Sequence, residues 1–231
     1  MAKLVWDQVG EKTYETGTKQ GVLYPQAADG TYPDGVAWNG LTSVSESPDG
    51  GDANDIYADD IKYLVLRGVE NFGGTIEAYT YPDEFAECDG SASLMAGVTI
   101  GQQPRKTFGF SYVSTIGNDT ELDGHGYKIH IIYGASASPS ERSYETINDS
   151  PEPIQFSWEF TTVPVPVSGH KATSVLIIDS TKFPKGAGGT KNEHLQDLED
   201  VLYGTDAHDN EAATDPRLPL PDEVVRILTG T

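Results

Sequence analysis

The stretch Ile154-Gln155-Phe156-Ser157-Trp158-Glu159-Phe160 alternates apolar and polar side chains along its whole length. Successive side chains of a strand point to opposite faces, so this period of two predicts a β-strand with one buried face. The same alternation occurs at 107–112. A further apolar stripe over 127–133 places Lys128 and His130 on the opposite face. The sequence therefore predicts a mainly β protein.

Four more apolar runs, bounded by Gly, Pro, Asn or Asp, predict strands at 36–44, 61–67, 75–80 and 174–179. Six or seven strands separated by turns are typical of an antiparallel β-sandwich or partial barrel, which is the predicted fold. Apolar patches at 4–6 and 22–25 are explained equally well by an N-terminal arm or by ordinary edge strands.

A short helix is predicted at 82–87. Pro82 suits a first helical turn, the following acids suit the helix dipole, and Gly90 provides a stop. Phe85 is the residue expected to anchor this helix on the β-structure.

Two helices are predicted near the C-terminus, at 191–203 and 222–228. Leu195, Leu198 and Leu202 follow helical spacing in the first, and Gly204 provides its cap. With the acidic linker 205–215 between them, we expect residues 191–231 to form an acidic helical appendage to a β domain spanning 1–190.

Acidic residues outnumber basic ones by 36 to 15, for a net charge of -21. The excess is concentrated in three windows, 46–60, 81–89 and 193–223. A chain with no basic surplus cannot grip nucleic acid by displacing phosphate counterions. The predicted strands are close to neutral.

The segment 46–60 shows no strand pattern, yet Ile56 and Tyr57 stand among its acids. Long loops in compact domains are often functional or disordered. The segment is therefore either a mobile acidic loop or an arm that orders against another subunit. Candidate inter-subunit contacts are Trp6, Ile56, Tyr57, Leu195 and Leu198.

No motif predicts a cofactor or metal site. The glycine-rich segment 185–191 lacks the Gly-Lys-Ser/Thr of a phosphate-binding loop. If the segment that begins at Asp52 is compared with a calcium-binding loop, Ile56 stands at the position of a ligand and Tyr57 at the position of the required glycine. The five histidines are scattered and are interpreted as surface or sheet residues.

No catalytic centre is predicted, so we do not expect an enzyme. Asp83 and Glu87 are better explained as solvated helix charges than as paired carboxylates for acid–base catalysis. The acids Glu87 and Asp89 flank Cys88, the one cysteine, and would raise its thiol pKa. With no intrachain disulfide, no signal-peptide pattern and no membrane span, we expect assembly in a reducing cytoplasm.

Several extended segments carry a resemblance to a known family. They are Gly35-Val36-Ala37-Trp38-Asn39-Gly40-Leu41-Thr42, Ala58-Asp59-Asp60-Ile61-Lys62-Tyr63-Leu64, Ala78-Tyr79-Thr80-Tyr81-Pro82-Asp83-Glu84-Phe85-Ala86-Glu87-Cys88-Asp89-Gly90, His125-Gly126-Tyr127-Lys128-Ile129-His130, Tyr133-Gly134-Ala135 and Asp215-Pro216-Arg217-Leu218-Pro219-Leu220-Pro221. Through them the chain resembles the major tail proteins of long, non-contractile-tailed bacteriophages of Gram-positive hosts.

The resemblance implies a structural virion protein of the tail tube, assembled in the bacterial cytoplasm. Such subunits are β-sandwiches with a flanking helix, which form hexameric rings that stack into a tube. It implies self-association, contacts with tape measure, tail terminator and distal tail proteins, and passage of double-stranded DNA without specific binding or a membrane. The helix at 82–87 corresponds to the flanking helix. The loop at 46–60 and both terminal arms would bridge rings.

Other functions stay open on the sequence. A tail terminator or another tail ring protein is the nearest alternative. A monomeric β-sandwich that binds carbohydrate through Trp38, Trp158 or the many tyrosines belongs to a different class. A hydrolase using Asp83 or Glu87 is the third. If the tube interpretation is right, we expect a neutral to acidic lumen, with Lys62, Arg67 and Lys128 as minor exceptions or facing away.

Overall fold

Antiparallel strands dominate the computed structural model, which describes residues 3–147, 149–184, 186, 191–207 and 212–230. The strands are β1 (Thr13–Pro25), β2 (Val36–Trp38), β3 (Leu41–Glu46), β4 (Asp49–Gly50), β5 (Ala53–Ala58), β6 (Ile61–Arg67), β7 (Glu70–Asn71), β8 (Gly73–Ala78), β9 (Ala92–Met95), β10 (Val98–Ile100), β11 (Phe108–Asn118), β12 (Leu122–Ala137), β13 (Phe156–Thr162) and β14 (Val175–Asp179). The helices are α1 (Ala86–Asp89), α2 (Glu193–Tyr203) and α3 (Pro221–Thr229), with 3₁₀ turns at Asp83–Phe85 and Ser180–Lys182. The prediction of a mainly β, antiparallel fold is confirmed.

The main sheet rolls back on itself. Its strand order is β2-β1-β11-β12-β13-β8-β3, with β14 also paired to β12. The strands at the two ends of this path, β2 and β3, are separated in sequence only by Asn39 and Gly40. Two residues cannot span a flat sheet of this width, so its ends must meet. The single strand predicted at 36–44 is therefore two strands joined by a turn.

Strand β12 changes partner at Gly134. It pairs with β14 from Lys128 to Ile132 and with β13 from Ala135 onward. Gly134 has a φ of 60°, and the register with β11 shifts beside it. A Cβ at this position would lie 2.2 Å from the carbonyl oxygen of Val163. Only glycine permits this bulge and the bend that it introduces.

The interior of the rolled sheet is aromatic. The ring centroids of Trp38 and Phe85 are 4.6 Å apart, and those of Phe85 and Trp158 are 5.1 Å apart. Phe85 is fully buried, which confirms it as the anchor of the short flanking helix. That helix begins as a 3₁₀ turn at Asp83 and ends at Gly90, whose φ of 81° provides the left-handed cap.

The C-terminal helices cover the outer face of the sheet. Leu195, Leu198 and Leu202 are buried in one hydrophobic cluster with β1, β11 and β12 residues. The hydroxyl of Tyr24 donates to the carbonyl of Leu202 at 2.8 Å, and that of Tyr133 donates to Pro219 at the same distance. Residues from 191 onward thus share a core with the β domain. The expectation of one buried face is wrong for β11, because helices cover its second face.

The expectation of a loop without strands at 46–60 is wrong. β3 extends to Glu46, and β5 pairs with β6 in a hairpin whose register runs from Ala53 opposite Arg67 to Ala58 opposite Ile61. The acids hide the strand because they interrupt its apolar alternation. Most of the glycine-rich segment and the centre of the linker 205–215 lie outside the described residues.

Candidate assembly surfaces

The hairpin arm, defined as residues 53–67, forms a two-stranded sheet of its own. Ile56 lies opposite Leu64, and Asp55 lies opposite Val65. The ammonium of Lys62 approaches the carboxylate of Asp55 to 2.7 Å. The arm follows β3 and β4 and returns to the body through β7 and β8, so it is an extension of the rolled sheet rather than part of it.

Both faces of the hairpin arm are apolar and exposed. Residues 63–66 read Tyr-Leu-Val-Leu, and every residue of β6 is exposed. Because neighbouring side chains of a strand point to opposite faces, this run places apolar groups on each side. Across the pair, 67% of Tyr57 is exposed and Ile56 is half-buried.

A second two-stranded hairpin is formed by β9 and β10, and we refer to residues 92–100 as the uncharged hairpin. It follows α1 and turns at Ala96 and Gly97. Leu94 and Met95 are each 66% exposed, and Val98 is exposed beside them. The sequence pattern did not predict this hairpin. The feature that could have indicated it is the lack of charged residues at 92–100.

The N-terminal arm presents a third exposed apolar group. Leu4, Val5 and Trp6 are exposed, with 73% of the Trp6 side chain accessible. These three residues form neither helix nor strand. The arm is held near its end, where the amide of Gly10 donates to Asp119 at 2.9 Å.

The predicted contact residues fall into two groups. Trp6 and Tyr57 are exposed and Ile56 is half-buried, so the surface includes all three. Leu195 and Leu198 are covered by the chain's own sheet, with at most 2% exposed. These two leucines have no area left for a neighbouring subunit, so the helical spacing that singled them out reflects packing within the chain.

A polar cluster joins β1, β3, β11 and β12, with a buried histidine at its centre and Glu15 at its exposed side. The Tyr112 hydroxyl donates to Glu46 at 2.8 Å, and the Ser114 hydroxyl donates to Glu15 at 2.5 Å. His130 is buried between them, stacked on Tyr112 with ring centroids 4.5 Å apart. Lys128 closes the cluster with an ion pair of 2.5 Å to Glu15. The cluster was missed because its members are far apart in sequence.

Both carboxylates of this cluster are stabilised in their ionised form. The contact with His130 lowers the pKa of Glu46, burial opposes the change, and the hydrogen bond from Tyr112 adds to it. Burial acts to raise the pKa of Glu15, but the hydrogen bonds from Lys128 and Ser114 outweigh burial and lower it. The cluster is therefore a charged network that ties β3 to β1, β11 and β12.

Ser114, His130 and Glu46 have the residue types of a nucleophilic triad. The Ser114 Oγ lies 3.0 Å from Nε2 of His130, and Nδ1 of His130 lies 3.3 Å from Glu46. However, the buried Ser114 hydroxyl already donates its proton to Glu15. A nucleophile must instead direct that proton to the base and face a substrate. The arrangement is structural.

Glu87, the two tryptophans and Cys88 all have structural surroundings that explain them without a binding or catalytic site. Glu87 forms an ion pair with Lys106 at 3.2 Å, and Trp38 and Trp158 are buried, which removes both tryptophans as platforms for a sugar ring. Burial is the main cause that raises the pKa of the Cys88 thiol to about 12; Lys106 acts against it, and Glu87 and Asp89 contribute to the rise.

Two kinds of feature, a metal site and a membrane-spanning helix, are absent from the described part of the chain. It contains no group of three or more His, Cys, Asp or Glu side chains arranged to hold a metal ion. None of its helices has the length and apolarity needed to cross a membrane.

Three solved structures align with more than two thirds of this chain, each at low sequence identity. A chain of the sheath–tube complex of the PVC extracellular contractile injection system aligns with a TM-score of 0.36 and 13% identity, over 69% of this chain and 88% of that one. A chain of the baseplate of the anti-feeding prophage (AFP) aligns with a TM-score of 0.36 and 10% identity, over 78% and 100%. A chain of the PVC sheath/tube terminator aligns with a TM-score of 0.32 and 11% identity, over 76% and 99%. No family model matches the sequence, and no curated protein does.

Proposed function

We propose that this chain is the tail tube subunit of a long-tailed, non-contractile bacteriophage, and that it assembles into hexameric rings which stack into a conduit for the genome. The proposal joins the sequence resemblance to the surfaces described above. It assigns the chain a structural role in the virion.

The hairpin arm carries the proposal. Every residue of its apolar run 63–66 is exposed, and among the described residues β6 pairs with β5 alone. Fully burying an exposed aliphatic side chain contributes about 1.5–3 kcal/mol, and the part of each side chain of this run that is still exposed contributes its share of that driving force on association. A strand with apolar groups on both faces suits burial between two layers. Self-assembly supplies the missing layers.

The pairing of basic residues supports a conduit that does not retain DNA. Lys62 is paired with Asp55, and Lys128 is paired with Glu15. A base that is neutralised by its own chain contributes little attraction for phosphate. Two of the three basic residues named as exceptions to a neutral lumen are therefore compensated.

The test is imaging of the purified protein at high concentration by negative-stain electron microscopy. We expect six-fold rings and hollow tubes from the wild type. The double variant Leu64→Lys with Leu66→Lys should remain monomeric, because charge replaces the apolar run. The matched control Val225→Lys changes an exposed apolar residue on α3 and should still assemble.

Three outcomes are informative about the assignment. A wild type that stays monomeric at high concentration would refute it. Rings that never stack would instead indicate a terminator-like ring protein. Glycan binding without self-association would support a binding module.

A further inference from the structure

The uncharged hairpin differs from the other exposed apolar surfaces of this chain because it carries no charged residue. Residues 90–104 are the longest stretch without Asp, Glu, Lys or Arg in a chain of net charge -21. Another long uncharged stretch, 107–118, coincides with the buried strand β11. Residues 93–99, by contrast, are all exposed. Packing within the chain does not explain them.

The net charge of the chain favours the uncharged hairpin as a place where a second copy can approach. Copies that each carry a large negative charge repel one another, and close approach is less unfavourable where at least one of the two surfaces carries no charge. The uncharged hairpin offers such a place. Its Leu94 and Met95 also supply apolar area that would otherwise face water.

The docking position on the second copy follows from the acids of the hairpin arm. Asp59 and Asp60 form its turn. Two arms packed against each other would bring these carboxylates together, which is unfavourable. When an arm packs against the uncharged hairpin, its carboxylates meet no charge of the same sign. The apolar surfaces of the arm and of the uncharged hairpin are then both covered.

We infer that the uncharged hairpin of one subunit packs on the apolar run 63–66 of the next subunit. This contact is heterologous, because a different surface of each copy takes part, and heterologous contacts produce rings or stacks rather than closed dimers. The inference rests on the proposed function and specifies which surfaces meet.

Two complementary variants test the contact. The arm variant carries Leu64→Lys and Leu66→Lys, and the tip variant carries Leu94→Lys and Met95→Lys. All four positions are exposed, so far-UV circular dichroism and thermal midpoints should match the wild type. Each variant alone should lose assembly. Each also retains one intact surface, so an equimolar mixture should form 1:1 heterodimers in sedimentation velocity and grow no further.

The outcomes separate this contact from the proposed function. If the wild type forms tubes but the mixture stays monomeric, the hairpin contact is wrong and the tube function stands. Tubes from the tip variant alone would also refute the contact. If the wild type itself never assembles, both proposals fall. The control variant Val225→Lys, which leaves both surfaces intact, should still form tubes when it is used in place of either variant.

Discussion

Nδ1 of His130 lies 3.3 Å from Oε1 of Glu46, the residue at which β3 leaves the rolled sheet toward the hairpin arm. The contact crosses the sheet, since β3 is an end strand and β12 is central to it. One buried imidazole thus links the root of the arm to the body of the protein.

Acid should weaken this link. The pKa values of Glu15 and Glu46 are lowered in the folded chain, so their contribution to stability is complete above the ordinary glutamate value of about 4.3. It is lost as pH falls through the lowered folded values. We expect the free energy of unfolding in urea to begin to fall near about pH 5, just above the ordinary glutamate pKa, and to keep falling below about pH 4.

The variant Glu46→Gln isolates the contribution of the link. At neutral pH it should lose about 1–3 kcal/mol, because the hydrogen bond from Tyr112 and the contact with His130 are weakened. It should also lose less than the wild type on acidification. The control Glu152→Gln, at an exposed carboxyl, should behave as the wild type does. Equal losses for Glu46→Gln and the wild type would contradict a role for Glu46 in the acid response.

Gly134→Ala should destabilise the fold by at least about 2 kcal/mol, because a methyl group would meet the Val163 carbonyl in a left-handed backbone conformation. Gly30→Ala is the matched control, since Gly30 also has a positive φ but no atom lies within 4 Å of its added Cβ. The free energy of unfolding of Gly30→Ala should fall only by the cost of holding alanine in a left-handed conformation, about 1–2 kcal/mol. Thermal and urea unfolding measure both. Equal losses would show that the bulge tolerates a side chain.

Leu198→Ala should lower the free energy of unfolding of the monomer by about 2–5 kcal/mol, because the side chain is fully buried between α2 and the sheet. Val225→Ala, on the exposed side of α3, should change it by less than about 0.5 kcal/mol. A stable monomer with an assembly defect would instead place Leu198 at an interface between subunits.

Trp6 provides an optical report on assembly. Of the three tryptophans, Trp38 and Trp158 are buried and Trp6 is exposed. Acrylamide should therefore quench monomer fluorescence mainly through Trp6, and Trp6→Phe should remove most of that quenching. If the N-terminal arm orders against a neighbour, quenching should fall when tubes form. Unchanged quenching in tubes would leave the arm outside the interfaces.

Much of the fold can be predicted from the sequence where one face of an element is apolar. In β13, Trp158 and Phe160 are buried and Glu159 between them is exposed, as the alternation predicts. The leucines of α2 lie on the buried face that their spacing indicates. The anchor Phe85 was identified from a helix of only one turn. In each case the local pattern and the tertiary environment agree.

The remaining features could not be predicted because their causes are not local. In β5, Asp55 interrupts the alternation, and the strand is stabilised by pairing with β6 rather than by a core. The partners of β11 on its second face come from residues nearly a hundred positions away, on α2. The cluster around His130 needs the register of four strands, and a lone histidine in an apolar strand was its only trace.

The placement of the hairpin arm in the chain also affects the order of folding. Its two strands are neighbours in sequence and can pair in about 1–10 μs, as isolated hairpins do. The rolled sheet must first bring Thr13 beside Asn118, a contact of high sequence separation that forms far more slowly. The apolar run 63–66 is thus exposed throughout synthesis and folding. Asp59 and Asp60 form the turn beside this run, and charges that flank an exposed apolar strand oppose its aggregation.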